Sequence, residues 1–299
     1  MNLSLDSARS FAGRLYDAFL VLAVYSNIWV AAAIASLVPF VQTTLGLGLD
    51  WRPIALIFAS ALVPYLLDRL IDAYVQKIPD QRAQIFFRRP APLALFAIAS
   101  LATATLIYRA PAQVQLVCLG GLVPLLYGLP LFPGRDQDGP RWYRLKDIPG
   151  SKAWIVCSTI TYAVVAVPLA YASQPFTPAV ASVALFLLVF IGSNSHVFDI
   201  RDIQSDRRKG VMTMPVLLGT WRTRWVLTAL NLGMLGLLIL VRCRACVGPA
   251  LIIVLPATAV TLVYIWLVNP RTPRNVYNIW VDGALFLPLA LLVSVRLSI

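Results

Sequence analysis

The sequence predicts an all-α polytopic membrane protein with nine transmembrane helices and a cytoplasmic N-terminus. Three observations lead there. Of the 299 residues, 59% are hydrophobic and only 13% charged, whereas a soluble domain carries about 25% charged residues. Long apolar runs recur along the whole chain, each near the ~20 residues a helix needs to cross a bilayer. The 25 Lys and Arg residues also divide unevenly between the two sets of connections that those runs define.

Taken in order, the expected spans cover residues 17–40, 51–71, 91–108, 112–131, 153–172, 178–198, 222–241, 246–268 and 279–297. Pro64 and Pro124 fall inside spans, where membrane helices tolerate proline better than soluble helices do. The start, Met1 to Arg14, lacks a basic segment followed by a short apolar core and cleavage site, so the first span is expected to direct insertion itself. The longest polar connections, roughly 20 residues, are too short to bury a core of their own. Residues 1–299 are therefore expected to form a single transmembrane domain.

With nine spans, the N-terminus and the even-to-odd loops share a side. That side holds 20 of the 25 basic residues, leaving Arg52, Arg109, Arg242, Arg244 and Arg296 on the other. Positive residues mark the cytoplasmic side, so the N-terminus is placed inside and the C-terminus outside. The same asymmetry accounts for the formal charge of +12, and no nucleic-acid partner is expected. The partner that composition implies is the lipid bilayer.

All 13 acidic residues are Asp, and their placement is the most informative detail. Asp68 and Asp72 end the second span, with Asp80 following; Asp199, Asp202 and Asp206 end the sixth. The second group has the spacing DxxDxxxD. Steps of three and seven residues return to nearly the same helical face, so three carboxylates are expected to point one way where apolar core meets water. Like charges so placed repel and are expensive at membrane depth, unless a hard cation such as Mg²⁺ draws on their oxygens. The two groups lie four spans apart, on the same side, as in a degenerate internal repeat.

Each acidic group runs into a basic loop: Lys77, Arg82, Arg88 and Arg89 after the first, Arg207, Arg208 and Lys209 after the second. Carboxylates beside cations suit a metal-bridged diphosphate, with the metal on phosphate oxygens and Lys or Arg offsetting the remaining charge. Loss of diphosphate from an allylic carbon requires that arrangement. The carbocation left behind requires an apolar, aromatic-lined cavity that excludes water.

The stretch Asp199-Ile-Arg-Asp202-Ile-Gln-Ser-Asp206-Arg207-Arg208-Lys209-Gly210, continuing through Thr213-Met214-Pro215 to Gly219, resembles the second aspartate motif of the UbiA-type intramembrane prenyltransferase superfamily. Asp68-Arg69-Leu70-Ile71-Asp72 is similar to the latter half of that superfamily's first motif. The resemblance implies a nine-helix prenyltransferase-like bundle and Mg²⁺-dependent transfer of a prenyl group from an isoprenoid diphosphate to a lipophilic acceptor, aromatic or quinone-precursor. It implies that Asp68, Asp72, Asp199, Asp202 and Asp206 hold metal and act in catalysis, that Lys77, Arg207 and Arg208 neutralise phosphate, and that Lys146 or Lys152 reaches the diphosphate. The first motif departs from the pattern: its opening Asn-Asp is replaced by Pro64-Tyr65. That departure leaves room for a terpene cyclase, which ionises the diphosphate without an acceptor. A cation-binding or transporting membrane protein and an inactive homologue are the rivals from other classes.

Four further residues stand out. His196, the single histidine, precedes Asp199 by one turn and is either a proton acceptor or a packed core imidazole. Asn27 in the first span either faces the cavity or bonds across helices, and Asn194 carries the same ambiguity. Tyr277 is a candidate cavity wall. Asp282, inside the last span, is functional by its depth unless Arg271 or Arg274 pairs with it. Cys118 and Cys157 read as core packing, and Cys243-Arg-Ala-Cys246 is too short a signal for a metal site.

Overall fold

In the computed structural model the described residues are 11, 13–71, 73–74, 81–122, 130–136, 139–144, 148–208, 210–245 and 248–297. Helices dominate them. In chain order they are α1 (Gly13–Tyr25) and α2 (Ile28–Thr44), α3 (Trp51–Ile71), the short α4 (Gln81–Phe87), α5 (Pro90–Tyr108) and α6 (Ala112–Gly121). An antiparallel hairpin, β1 (Pro130–Asp136) and β2 (Gly139–Arg144), follows. Then come α7 (Ser151–Tyr171), α8 (Pro178–Arg208), the single-turn α9 (Met214–Leu218), α10 (Thr220–Ala245), α11 (Leu251–Leu267) and α12 (Arg274–Leu297).

Among the described residues six helices are long and apolar enough to cross a bilayer, and seven if α1 and α2 form one bent span. α6 and α11 are apolar but shorter. By length and composition, six or seven of the nine expected spans are thus met among the described residues. The fourth expected span, 112–131, is helical over Ala112–Leu122, and residues 130–131 begin a strand; residues 123–129 lie outside the described residues.

The packed interior is apolar and runs down the middle of the bundle. Phe40 and Leu37 of α2 meet Phe186, Leu187 and Phe190 of α8, with Val164 of α7 and Val254 of α11 in the same cluster. α8 is the axial helix: 72% of its apolar window is buried, against 11% for α5. Outer helices turn leucines and isoleucines outward, as Leu101 and Leu240 show, which suits lipid contact.

Two irregularities face one another near one end of the bundle. The first span turns π-helical over Leu20–Tyr25, breaks at Ser26–Asn27 and resumes at a 64° angle. Asn27 sits at φ 60°, a conformation that asparagine tolerates better than bulkier residues. Ser26 Oγ donates to Leu22 O at 2.6 Å, satisfying a carbonyl at the break. The last span is also π-helical over Tyr277–Val281 and becomes a 3₁₀ turn at Ala284–Phe286. Gly283 joins the two: a Cβ there would lie 3.2 Å from the Trp29 ring, whose Nε1 donates to Ile279 O at 3.1 Å. Irregular backbone at membrane depth persists where it lines a protein cavity, and such a cavity lies here.

Candidate active site

The ends of α3 and α8, the break in the first span and the start of α12 enclose a cavity of about 290 Å³. Its charged wall carries three carboxylates, Asp68, Asp202 and Asp282, and four cations, Arg69, Lys152, Arg201 and Arg274. Tyr25, Trp29, Tyr65, Phe87 and Phe198 form the aromatic wall. Asp68 and Asp202, from the two acidic groups of the sequence, therefore open onto one space.

α8 continues unbroken through the whole DxxDxxxD motif, to Arg208. Gly210, at φ 69°, then ends it: Val211 N donates to Asp206 O at 2.9 Å and Gly210 N to Arg207 O at 3.3 Å, a glycine cap of the usual left-handed kind. The three carboxylates share a helical face, but they are not gathered at one point. Lys152, in the first turn of α7, places Nζ 3.1 Å from Asp199 Oδ1 and 3.2 Å from Asp206 Oδ2. Asp199 and Asp206 are nearly buried, at 4% and 5% exposure. Asp202 points into the cavity and is gripped on two edges by Arg201, Nε to Oδ1 at 2.9 Å and Nη2 to Oδ2 at 2.7 Å. The like-charge repulsion that the sequence posed is thus answered by the chain's own cations.

Arg201 is itself held in place. Its guanidinium lies 4.7 Å from the Phe198 ring centre and 5.5 Å from that of Tyr277, and Nη1 donates to Asn278 Oδ1 at 3.3 Å. Stacking and forked hydrogen bonds of this kind fix arginine more firmly than lysine. Lys152 is located by the loop before α7: Gly150, at φ 76°, donates its N–H to Met212 O at 2.6 Å, and Ser151 Oγ donates to Ile148 O. The segment after Asp206 and the segment before Lys152 are thereby fastened together.

Asn27, Asp68 and Asp202 line the cavity, with Asp199 and Asp206 holding Lys152 at its edge. Asp72, Asp80, Lys77 and Lys146 lie outside the described residues. Arg207 and Arg208 are exposed and do not line the cavity; Arg208 Nε donates to Gln204 O. His196 is fully buried, with Nδ1 2.8 Å from Gly192 O and its ring edge-on to Trp154. It takes the packed-imidazole side of its ambiguity and does not line the cavity. Tyr277 is likewise fully buried, donates to Asn269 O at 3.0 Å and acts behind Arg201 rather than as cavity wall. Asn194 lines the cavity and donates to Val281 O at 2.7 Å.

The sequence reading underweighted Lys152, Arg201, Arg69, Arg274 and Tyr65. In the sequence Lys152 is only one of two lysines of the loop before the expected span at 153, and only the structure, in which α7 starts at Ser151, places it in the helix. Arg201 offers a weak signal, since an arginine between two motif aspartates reads as easily as a solvated helix end.

The donor chemistry at the cavity is carboxylate and amide oxygen, the kind that suits a hard cation. Among the described residues no three His, Cys or Asp side chains form a ready-made metal cluster. Asp68 and Asp202, which line the same cavity, offer the oxygen donors a divalent ion takes, with a phosphate substrate able to supply its other ligands.

No curated protein sequence matches this chain significantly. Among solved structures, one of a digeranylgeranylglyceryl phosphate synthase in membranes superposes with a TM-score of 0.56 at 13% identity, covering 93% of this chain and 97% of that one. That likeness shows a shared fold. The family model for VviA prenyltransferase matches residues 16–297. On that match, nearly end to end, the chain belongs to the VviA prenyltransferase family.

Proposed function

We propose that this prenyltransferase moves a prenyl group from an isoprenoid diphosphate to a lipophilic acceptor, aromatic or quinone-precursor, within the membrane and with Mg²⁺. The observation that carries the proposal is the single cavity onto which Asp68 and Asp202 both open, with Arg69, Lys152, Arg201 and Arg274 around it. Diphosphate binds there as a polyanion against guanidinium and ammonium groups. Asp202 and Asp68 would hold Mg²⁺, with Asp199, Asp206 and Asp72 as the remaining carboxylates of the two motifs. When bound, the ion offsets the charge that grows on the leaving diphosphate. The aromatic wall of Tyr25, Trp29, Tyr65 and Phe198 faces the cation left behind and excludes water from it. The density of basic residues supports a cytoplasmic orientation for this end of the bundle.

The test is to incubate purified protein in lipid nanodiscs with geranyl, farnesyl and geranylgeranyl diphosphates, with and without membrane lipid extract, and to identify products by mass. The expected result is a prenylated lipid that forms only with extract and disappears when EDTA removes Mg²⁺. Product arising from the diphosphate alone would mark a cyclase, the reading that Pro64-Tyr65 in the first motif favours. Absence of diphosphate release with every donor would defeat both readings.

A further inference from the structure

The cavity has two levels. Along α8, Asn194 lies eight residues before Asp202; along α12, Asp282 lies eight residues beyond Arg274. At 1.5 Å per residue the α8 interval spans about 12 Å, and the partly π-helical α12 interval is shorter. The outer level carries Asp202, Lys152, Arg201 and Arg274, the groups suited to a polyanion. The inner level is set by the hydrogen bond from Asn194 Nδ2 to Val281 O, which places Asp282 beside Asn194. Asp282 lines the cavity at this depth, and among the described residues no hydrogen-bond or ion-pair partner meets its carboxylate. Neither Arg271 nor Arg274 takes it up as an ion pair. Arg201 and Arg69 act on it electrostatically without contact.

A carboxylate left unpaired at membrane depth carries a cost that no packing role offsets. The surrounding backbone shows how it is presented. The π-helical turn Tyr277–Val281 lies immediately before Asp282 and a 3₁₀ turn just after Gly283, and Asp282 lines the same cavity as Asn27 at the break in the first span. Single-turn departures of this kind are frequent at functional sites. The aromatic wall belongs to the same cavity, where Tyr65 and Asp282 are both lining residues.

We propose that Asp282 is the catalytic base that takes the proton displaced from the acceptor, an assignment that rests on the prenyl-transfer reading above. In the balanced step the allylic C–O bond breaks and its electron pair leaves with diphosphate. A hydroxyl oxygen or aromatic carbon of the acceptor uses an electron pair to form the new bond to the allylic carbon. The proton on that oxygen or carbon passes to an Asp282 carboxylate oxygen, and the neutral acid later returns it to water. The acceptor is therefore of a defined class: its nucleophilic atom carries a proton, and its body is apolar enough to reach the inner level from the bilayer.

The experiment measures two quantities in one sample: diphosphate released and prenylated product formed. Wild type, Asp282→Asn, Asp282→Glu and Asp202→Ala are compared in nanodiscs, given farnesyl or geranylgeranyl diphosphate and membrane lipid extract. Donor binding is followed by thermal shift to confirm folding. Asp282→Asn is expected to lower product formed per diphosphate released by about 100-fold or more, the range typical of a lost general base. Prenyl alcohol and elimination products make up the difference, and Asp282→Glu recovers part of the coupling. Asp202→Ala is expected to lower release itself. A wild-type coupling ratio in Asp282→Asn would overturn the assignment. So would a loss of release equal to that of Asp202→Ala, because Asp282 would then belong to ionisation. If wild type itself releases no diphosphate, the prenyl-transfer reading fails first, and the Asp282 assignment falls with it.

Discussion

The two acidic helix ends occupy equivalent places in the bundle, yet they are built differently. At the end of α8 the helix runs straight through its motif, a glycine cap closes it, two carboxylates are nearly buried on Lys152, and the third is clasped by Arg201. At the end of α3, Asp68 is exposed to the cavity without a hydrogen-bond or ion-pair partner among the described residues. The first-motif position that would carry a further carboxylate is Tyr65, whose backbone oxygen instead accepts from Asn27 Nδ2 at 3.4 Å. One wall is thus pre-organised by the protein, and the other is left for a ligand to order. Pre-organised charge acts on a developing transition-state charge without reorganising, so the α8 side should carry most of the catalytic effect.

That contrast can be broken by ranking substitutions. Asp202→Ala should have the largest effect, a fall in diphosphate release of about 1,000-fold with expression and membrane insertion unchanged, in line with losses seen when a transition-state charge stabiliser is removed. Lys152→Met comes next. It strands Asp199 and Asp206, and losing one partner of a buried pair costs about 3–5 kcal/mol, somewhat less here because Lys152 is one-third exposed. The readout is a lower detergent Tm, and adding Asp199→Asn should return part of it. Asp68→Asn should reduce release by only about 10-fold and leave Tm unchanged; a loss equal to that of Asp202→Ala would show the two walls to be equivalent after all.

Gly283→Ala pushes a methyl against Trp29, 3.2 Å away. It should lower stability by about 1–3 kcal/mol, as overpacking does, and widen the product distribution. Arg207→Ala and Arg208→Ala should each change turnover less than about twofold, because both side chains stand outside the cavity. A large loss from either would return to them the phosphate-neutralising role that the motif resemblance implied.

Much of this site was legible because helical spacing and charge placement are local properties. DxxDxxxD fixes three carboxylates to one face wherever the helix lies, and the end of an apolar run fixes their depth. The placement of the two acidic groups four spans apart put them on one side, and the structure adds that Asp68 and Asp202 line one cavity. What could not be read were the partners. Lys152 and the Asp199–Asp206 pair meet across 47 residues or more, and nothing in either segment states which of two nearby lysines turns inward. The breaks in the first and last spans were equally hidden, since Leu20–Tyr25 reads as uninterrupted apolar helix. Asn27 hinted at a break, but asparagine within a span bonds across helices just as readily.

The Lys152 contact also bears on how the chain enters the membrane. α7 and α8 are adjacent, antiparallel and joined by a short turn, so the ammonium group and its two acids lie at the same open end of one helical pair. Inserted alone, α8 would expose Asp199 and Asp206 with no counter-ion, each aspartate at membrane depth adding a penalty of up to about 3 kcal/mol. Inserted with α7, the pair arrives with its acids already matched to a positive partner that was synthesised first. The order of the polypeptide thus suits a ribosome delivering these two segments as one unit, with reactive groups shielded before the remaining helices assemble around them.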